Sequence, residues 1–144
     1  STGDPIGWRQ SLDGKAADKK WHLTLYVENG RVKDTATVKM RTALREIALA
    51  GGVDFVVTSN QNLVIANVTA KQKPKIEALL AKHGVVIGTS SGLRRNAMAC
   101  VALPTCALAL AESERFLPGL ITDLEDILDS AGLREEDIVI RMTG

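Results

Sequence analysis

Apolar residues recur along this chain with two different periods, and each period predicts one kind of element. Runs of β-branched and aromatic residues bounded by turn residues predict strands at 21–27, 53–58 and 63–68. Apolar positions three and four residues apart predict a helix from Met40 to the Gly51-Gly52 pair, and a second helix that starts near Pro74 and ends before Gly84. The chain therefore combines strand and helix in alternation.

The order of these elements is strand, helix, strand, strand, helix, which predicts an α+β, ferredoxin-like unit (β-α-β-β-α) over residues 21–87 that lacks one strand. Residues 1–20 are polar and rich in glycine, so we expect an extended lead-in whose Ile6 and Trp8 pack on a partner surface. The composition changes at residues 88–95, and we place the boundary of a second unit, residues 88–144, at that point.

The second unit is predicted to be shorter and less regular. Its pattern suggests a strand at 98–103, a helix at 107–116, a longer helix from Leu117 to Ala131 and a final strand at 138–142. The acidic residues of the longer helix are expected on its outer face: Asp123, Glu125, Asp126 and Asp129. Because the last strand runs directly into Thr143-Gly144, we expect the natural protein to continue beyond it.

Charge and composition narrow the class of partner. The chain has 18 Lys and Arg against 17 Asp and Glu, so its charge gives no reason to expect nucleic acid or an anionic membrane. No apolar run approaches the roughly 20 residues of a membrane span, and no signal peptide pattern occurs. We therefore expect a cytoplasmic protein whose two cysteines are thiols or metal ligands rather than a disulfide.

Three short segments could carry chemistry, and each has an ordinary structural alternative. Cys100 and Cys106 could ligate metal or could be small buried apolar residues; Pro104-Thr105 predicts a turn that exposes Cys106 near a helix start, where a thiolate would be stabilised. The amides of Asn60-Gln61-Asn62 could contact a ligand or could shape a hairpin loop. Arg94 and Arg95 could bind carboxylates or could be solvated loop residues.

Several of these segments, in this order, resemble the sulfite reductase hemoproteins of the siroheme-dependent nitrite/sulfite reductase family. The similarity is carried by residues 21–31, by the turn at 58–66, and by Cys100 to Cys106 followed by Glu112 to Pro118. It covers nearly the whole chain. The resemblance implies a second ferredoxin-like half domain followed by the truncated start of an α/β cluster-binding domain.

The resemblance also implies a chemistry. Family members couple a siroheme to a 4Fe-4S cluster and reduce sulfite to sulfide with six electrons from a flavoprotein or ferredoxin. By that similarity Cys100 and Cys106 are the first two cluster ligands, the other two lie beyond Gly144, and Gln61, Asn60, Asn62 and Arg95 face siroheme. The isolated chain is then expected to be inactive. A nitrite reductase fragment, or a cofactor-free ferredoxin-like module that self-associates, remain the alternatives.

Overall fold

The computed structural model describes residues 3–12, 19–88 and 90–144, and the chain divides into two compact units. The N-terminal unit comprises Pro5–Val27 and Arg31–Thr89. The C-terminal unit comprises Ser1–Asp4, Glu28–Gly30 and Ser90–Gly144. The division along the chain therefore falls between Thr89 and Ser90, within the Gly- and Ser-rich stretch where the composition changes.

The N-terminal unit is a four-stranded antiparallel sheet with two helices. Its strands are β1 (Gly7–Gln10), β2 (Trp21–Leu25), β3 (Asp54–Val57) and β4 (Leu63–Val68), in the spatial order β1-β2-β4-β3. The helix α1 (Met40–Ala50) connects β2 to β3, and α2 (Lys73–Lys82) follows β4. Because β4 lies between β2 and β3, this is the split β-α-β arrangement of ferredoxin-like folds, as the order of elements predicted.

Strand β1 is an element that the sequence pattern did not reveal. Gly7 to Gln10 pair antiparallel with Thr24 to Trp21, so this part of the lead-in occupies the fourth position of the sheet. Trp8 packs against the unit's own core rather than on a partner surface. The strand is short and two of its four residues are exposed, which gives its sequence little alternation to recognise. Residues 13–18 of the expected lead-in lie outside the described residues.

One aliphatic core joins the sheet to both helices. Leu23 and Leu25 of β2 and Leu63 and Ile65 of β4, two positions apart in each strand, pack with the apolar positions of α1 and α2. The two helices end where glycine was expected, since Gly51 and Gly84 both have φ of 72°. A Cβ at Gly84 would also lie 2.5 Å from the Thr37 carbonyl oxygen. The core comprises Leu23, Leu25, Val27, Ala43, Leu44, Ile47, Leu63, Ile65, Val68, Ile76, Leu80 and Val85.

The C-terminal unit contains less regular structure. It has α3 (Gly92–Asn96), β5 (Met98–Ala99), α4 (Leu117–Ser130) and β6 (Arg141–Met142), and β5 and β6 pair in parallel. Its buried cluster is Leu93, Ala99, Leu117 and Ile121. The sequence did not predict α3, whose first turn is capped by Ser91: the Ser91 hydroxyl accepts a hydrogen bond from the Arg94 N–H at 3.0 Å.

One predicted helix of this unit is wrong, and two predicted strands are too long. Residues 107–116 form turns instead of a helix, and the predicted strands shrink to Met98–Ala99 and Arg141–Met142. Leu108 and Leu110 are 91% and 95% exposed. Short helices are stabilised mainly by packing of an apolar face, and these side chains pack on nothing in the described chain. The prediction for α4 is confirmed, with Pro118 in its first turn.

Candidate functional site

Both cysteines lie on one irregular segment between β5 and α4, residues 100–116, which we call the thiol segment. Cys100 is exposed and Cys106 is half-buried, and neither forms a disulfide. The Cys100 N–H donates to the Met142 carbonyl oxygen at 3.1 Å, which extends the pairing of β5 with β6 by one residue. The two thiols are thus free, and neither is enclosed in the core.

A tight turn separates the two cysteines. Ala102 is fully buried with φ of 46°, and the Leu103–Pro104 peptide bond is cis. The N–H groups of Thr105 and Cys106 both donate to the Ala102 carbonyl, at 3.1 and 2.7 Å. The predicted turn at Pro104-Thr105 is therefore confirmed. The helix that was expected to start near Cys106 is absent from the described structure, so no helix N-terminus stabilises a thiolate there.

The far end of the thiol segment is fixed by a buried hydroxyl. Ser113 is fully buried, and its Oγ donates to the Met142 carbonyl at 2.7 Å. The same carbonyl accepts the Cys100 N–H, so one oxygen atom of β6 holds residues at both ends of the segment. Between them, the Leu103 N–H donates to the Ala111 carbonyl at 3.2 Å and draws the segment into a loop that contains Cys106.

The Asn60-Gln61-Asn62 turn belongs to the N-terminal unit and joins β3 to β4. The Thr58 hydroxyl accepts from the N–H groups of Asn60 and Asn62, at 3.3 and 3.1 Å. Asn62 is buried, and its Oδ1 accepts the Val27 N–H at 3.1 Å, so this residue shapes the loop. Gln61 takes φ of 63° and its Oε1 is buried. Contact of these three residues with siroheme remains a prediction.

The two adjacent arginines of α3 have different surroundings. Arg94 forms a fork with Glu125 of α4, with Nη2 at 2.6 Å and Nε at 3.0 Å from the carboxylate oxygens. This guanidinium, together with the Ser91 hydroxyl, holds the pKa of Glu125 below its usual value despite burial. The expectation that Glu125 lies on the outer face of its helix is therefore wrong. A local pattern of acidic residues cannot show which one meets an arginine from another element.

The Arg95 side chain forms longer hydrogen bonds within the protein than Arg94 does. Its Nη2 lies 3.3 Å from the Asp137 carboxylate, and its Nη1 donates to the Ser90 carbonyl at 3.4 Å. Both distances are long for charge-assisted hydrogen bonds, and about a quarter of the side chain is exposed, at 26%. The role of Arg95 toward siroheme stays a prediction.

The sequence-predicted residues fall in two groups. Arg95, Cys100 and Cys106 belong to the C-terminal unit, whereas the Asn60–Asn62 turn belongs to the N-terminal unit. Among the described residues, no three His, Cys, Asp or Glu side chains come together as a metal site. In the part of the chain that the structure describes, no helix has the length and apolarity of a membrane span. The sequence did not reveal the structural roles of Ser113 and Glu125, because their hydrogen-bond partners lie 29 and 31 residues away.

Part of the chain matches a known protein family. The nitrite/sulfite reductase ferredoxin-like half-domain family matches residues 14–83, which span β2, α1, β3, β4 and α2. Residues 14–83 are therefore similar to that half domain. The expected fold of the N-terminal unit is confirmed by this match and by the observed order of its strands.

Curated relatives extend the similarity across the C-terminal unit. The chain is 57% identical to the sulfite reductase [NADPH] hemoprotein beta-component of Staphylococcus saprophyticus, over 99% of this chain and 24% of the relative. The proteins of the same name from Geobacillus kaustophilus and Paenibacillus sp. are 56% and 58% identical with the same coverage. The chain thus spans about a quarter of the length of these relatives, and its resemblance to sulfite reductase hemoproteins is confirmed.

A solved structure has a similar fold. The Mycobacterium tuberculosis NirA protein superposes with a TM-score of 0.70 and 25% sequence identity, over 98% of this chain and 24% of that one. Because the superposition covers almost the whole chain, it includes the thiol segment as well as the half domain.

Proposed function

We propose that this chain provides, within a longer protein, the half domain and the first two cluster ligands of a sulfite reductase hemoprotein. The observation that carries this proposal is the 56–58% identity, along 99% of the chain, to relatives that bear that name. The half-domain family includes nitrite reductases, so the family match alone leaves the substrate open. The names of the relatives favour sulfite, and their NADPH label favours a flavoprotein as electron donor over a ferredoxin.

The chemistry of the thiol segment fits an iron–sulfur cluster. Thiolates are the usual cluster donors, and a 4Fe-4S cluster usually takes four of them. Cys100 and Cys106 are both free and reachable at the surface of the C-terminal unit, so they would supply two. They are the chain's two cysteines, and the remaining two ligands would come from outside it. When bound, the cluster and siroheme would transfer electrons from the donor protein and provide the sulfite site; this chain would supply two cluster ligands and residues that contact siroheme.

The siroheme-facing roles follow from side-chain chemistry. The Gln61 amide both donates and accepts hydrogen bonds, which suits the edge of a macrocycle that carries carboxylates. Asn60 and Asn62 hold the turn that presents Gln61. Arg95 would pair with a carboxylate, since its existing hydrogen bonds are long enough to exchange. We propose a cytoplasmic location, where the thiols would stay reduced.

Anaerobic reconstitution with iron and sulfide tests the ligand roles. We expect the chain to take up iron and to lose that capacity in Cys100→Ser and Cys106→Ser, with brown absorbance as the readout. The same protein should not reduce sulfite with reduced methyl viologen, because it has two of four ligands. Uptake of iron that is unchanged in both serine variants would refute the ligand assignment, and sulfite turnover by the chain alone would refute the division of roles.

A second candidate function has its own structural support. Strand β3 lies at the edge of the sheet, pairs only with β4 among the described residues, and exposes Phe55, Val56 and Val57 at 39%, 50% and 81%. An exposed apolar edge favours pairing with another strand. The chain alone could therefore act as a cofactor-free association module that pairs through β3.

Light scattering separates this candidate from the first. We expect a dimer or larger species that becomes monomeric in Val57→Lys, because a charge on an edge strand opposes strand pairing. Val86→Lys is a matched control, since Val86 is 83% exposed in the same unit but outside the sheet. A monomeric parent chain, or equal effects of the two variants, would contradict pairing through β3.

A further inference from the structure

A hydrogen bond between residues far apart in sequence holds the end of the thiol segment. Asn29 lies in the 3-10 turn Glu28–Gly30, and its Nδ2 donates to the Glu114 carbonyl at 3.0 Å across 85 positions. Both residues belong to the C-terminal unit. Asn29 takes φ of 51°, a left-handed conformation that asparagine tolerates better than most residues. The turn therefore points an amide donor at one backbone oxygen of the thiol segment.

The thiol segment depends on such isolated hydrogen bonds. It contains no helix or strand within its described residues 100–116, and Leu108 and Leu110 are almost fully exposed. Regular structure therefore contributes nothing to the positions of its atoms, and burial contributes mainly at Ala102 and Ser113. Cys100 and Ser113 are held by the Met142 carbonyl, and Glu114 by Asn29. The two thiols thus lie on a loop whose C-terminal end is anchored at adjacent residues by two different side chains.

We propose that Asn29 is a positioning residue for the thiol pair. By holding the Glu114 carbonyl, it fixes the end of the loop that carries Cys106, and so the distance of Cys106 from Cys100, which β6 holds separately. The proposal rests on the proposed function only in its consequence for ligand binding. The effect on the loop itself follows from the hydrogen bond alone.

Replacement of the Asn29 amide with a carboxylate tests this hydrogen bond directly. Asn29→Asp keeps the shape of the side chain and tolerates the left-handed backbone, but it replaces the donor with a carboxylate that faces a carbonyl oxygen. The acidic residue Glu28 stands beside it in sequence, which adds repulsion. We therefore expect the Asn29 anchor of the loop end to be lost, which loosens the loop while the Ser113 anchor and the core remain.

Two readouts on the chain test the proposal. The first is the rate at which iodoacetamide alkylates each cysteine, measured by peptide mass spectrometry. The second is Cd²⁺ affinity, measured from the sulfur-to-cadmium absorbance, because chelation depends on the mutual placement of two thiolates. In Asn29→Asp we expect severalfold faster alkylation of half-buried Cys106 and about tenfold weaker Cd²⁺ binding, the factor expected for loss of one well-formed hydrogen bond.

Two control variants separate positioning from general destabilisation. Asn67 also has a left-handed backbone, with φ of 60°, and its amide donates to Asp54 in the N-terminal unit. Asn67→Asp should leave both readouts unchanged. Ile121→Val removes one buried methylene group from the C-terminal core and destabilises without touching the thiol segment. It should leave the ratio of Cys106 to Cys100 alkylation at the parent value.

The outcomes decide the proposal and the proposed function separately. Parent-like alkylation in Asn29→Asp, or an equal change in Asn29→Asp and Ile121→Val, would overturn the positioning role. If the parent chain binds Cd²⁺ no better than Cys100→Ser, the ligand pair fails, and the alkylation ratios still decide whether Asn29 positions the loop. A changed ratio in Asn29→Asp alone, with weaker chelation, supports both.

Discussion

The two units of this chain reach order by different means. In the N-terminal unit, strands and helices contribute to one aliphatic core. In the C-terminal unit the buried cluster is small, and residues 100–116 are held by a few hydrogen bonds to β6 and to Asn29. The comparison shows that the half domain is stabilised by buried area, whereas the thiol segment is specified by individual polar contacts.

The chain offers a separate probe for each unit. Both tryptophans, Trp8 and Trp21, lie in the N-terminal unit, and both cysteines lie in the C-terminal unit. Tryptophan fluorescence therefore reports the half domain, and thiol alkylation reports the C-terminal unit. Four substitutions, from the largest expected effect to the smallest, test the difference between the units.

The largest effect is expected in the half-domain core. Ile65→Ala removes a fully buried side chain from β4 and should lower the free energy of unfolding by about 3–4 kcal/mol, since the cavity adds to the lost transfer energy. Urea unfolding followed by tryptophan fluorescence measures it. Val56→Ala on exposed β3 is the control and should cost less than about 1 kcal/mol. A similar loss in both variants would mean that buried area does not dominate this unit.

A smaller effect is expected at the main ion pair of the C-terminal unit. Arg94→Ala leaves the Glu125 carboxylate buried without its fork partner and should cost about 2 kcal/mol, below the range for fully buried pairs because Arg94 is 21% exposed. Arg134→Ala removes a guanidinium from the exposed pair with Asp129 and should cost less than about 1 kcal/mol. Urea unfolding monitored by circular dichroism compares the two, and equal losses would contradict the assignment.

The same ion pair predicts a pH dependence. The Arg94 hydrogen bond holds the folded pKa of Glu125 below its ordinary value of 4.5. A lowered folded pKa contributes stability above pH 4.5 and loses it as pH falls through the folded pKa. The stability advantage of the parent over Glu125→Gln should therefore shrink as pH drops below about 4.5. Unfolding curves from pH 7 to pH 3 measure it; a constant difference would show that the carboxylate does not titrate in this range.

The smallest effect is expected at a surface cluster of the half domain. The Lys73 ammonium lies 3.9 Å from the Trp21 ring centroid and 5.2 Å from that of Trp8. Lys73→Met keeps the aliphatic stem, removes the charge, and should cost about 0.5–1 kcal/mol with a shift in fluorescence. Lys75→Met, on the same helix, is the control. Identical stability and fluorescence emission in the two variants would contradict a cation–π contribution from Lys73.

The sequence patterns were most successful where structure is local. The periods of apolar residues located α1, α2, α4 and the strands β2, β3 and β4, and glycines located the helix ends. The same reasoning wrongly extended a helix over 107–116, because apolar residues at helical spacing indicate a helix only where a surface exists for them to pack on. It also missed β1, which is ordered by pairing with β2 rather than by its own pattern.

By itself, the sequence determined the half-domain fold, the turn between the cysteines and the resemblance that led to sulfite reductase hemoproteins, because propensity, periodicity and ordered motifs are properties of neighbouring residues. Only the tertiary structure decided which polar groups meet across the chain. In the structure, Arg94 forms an ion pair with Glu125. The Met142 carbonyl accepts hydrogen bonds from Cys100 and Ser113, and the Glu114 carbonyl accepts one from Asn29. Such hydrogen bonds join residues 29 to 85 positions apart, and a pattern of nearest neighbours contains no information about them.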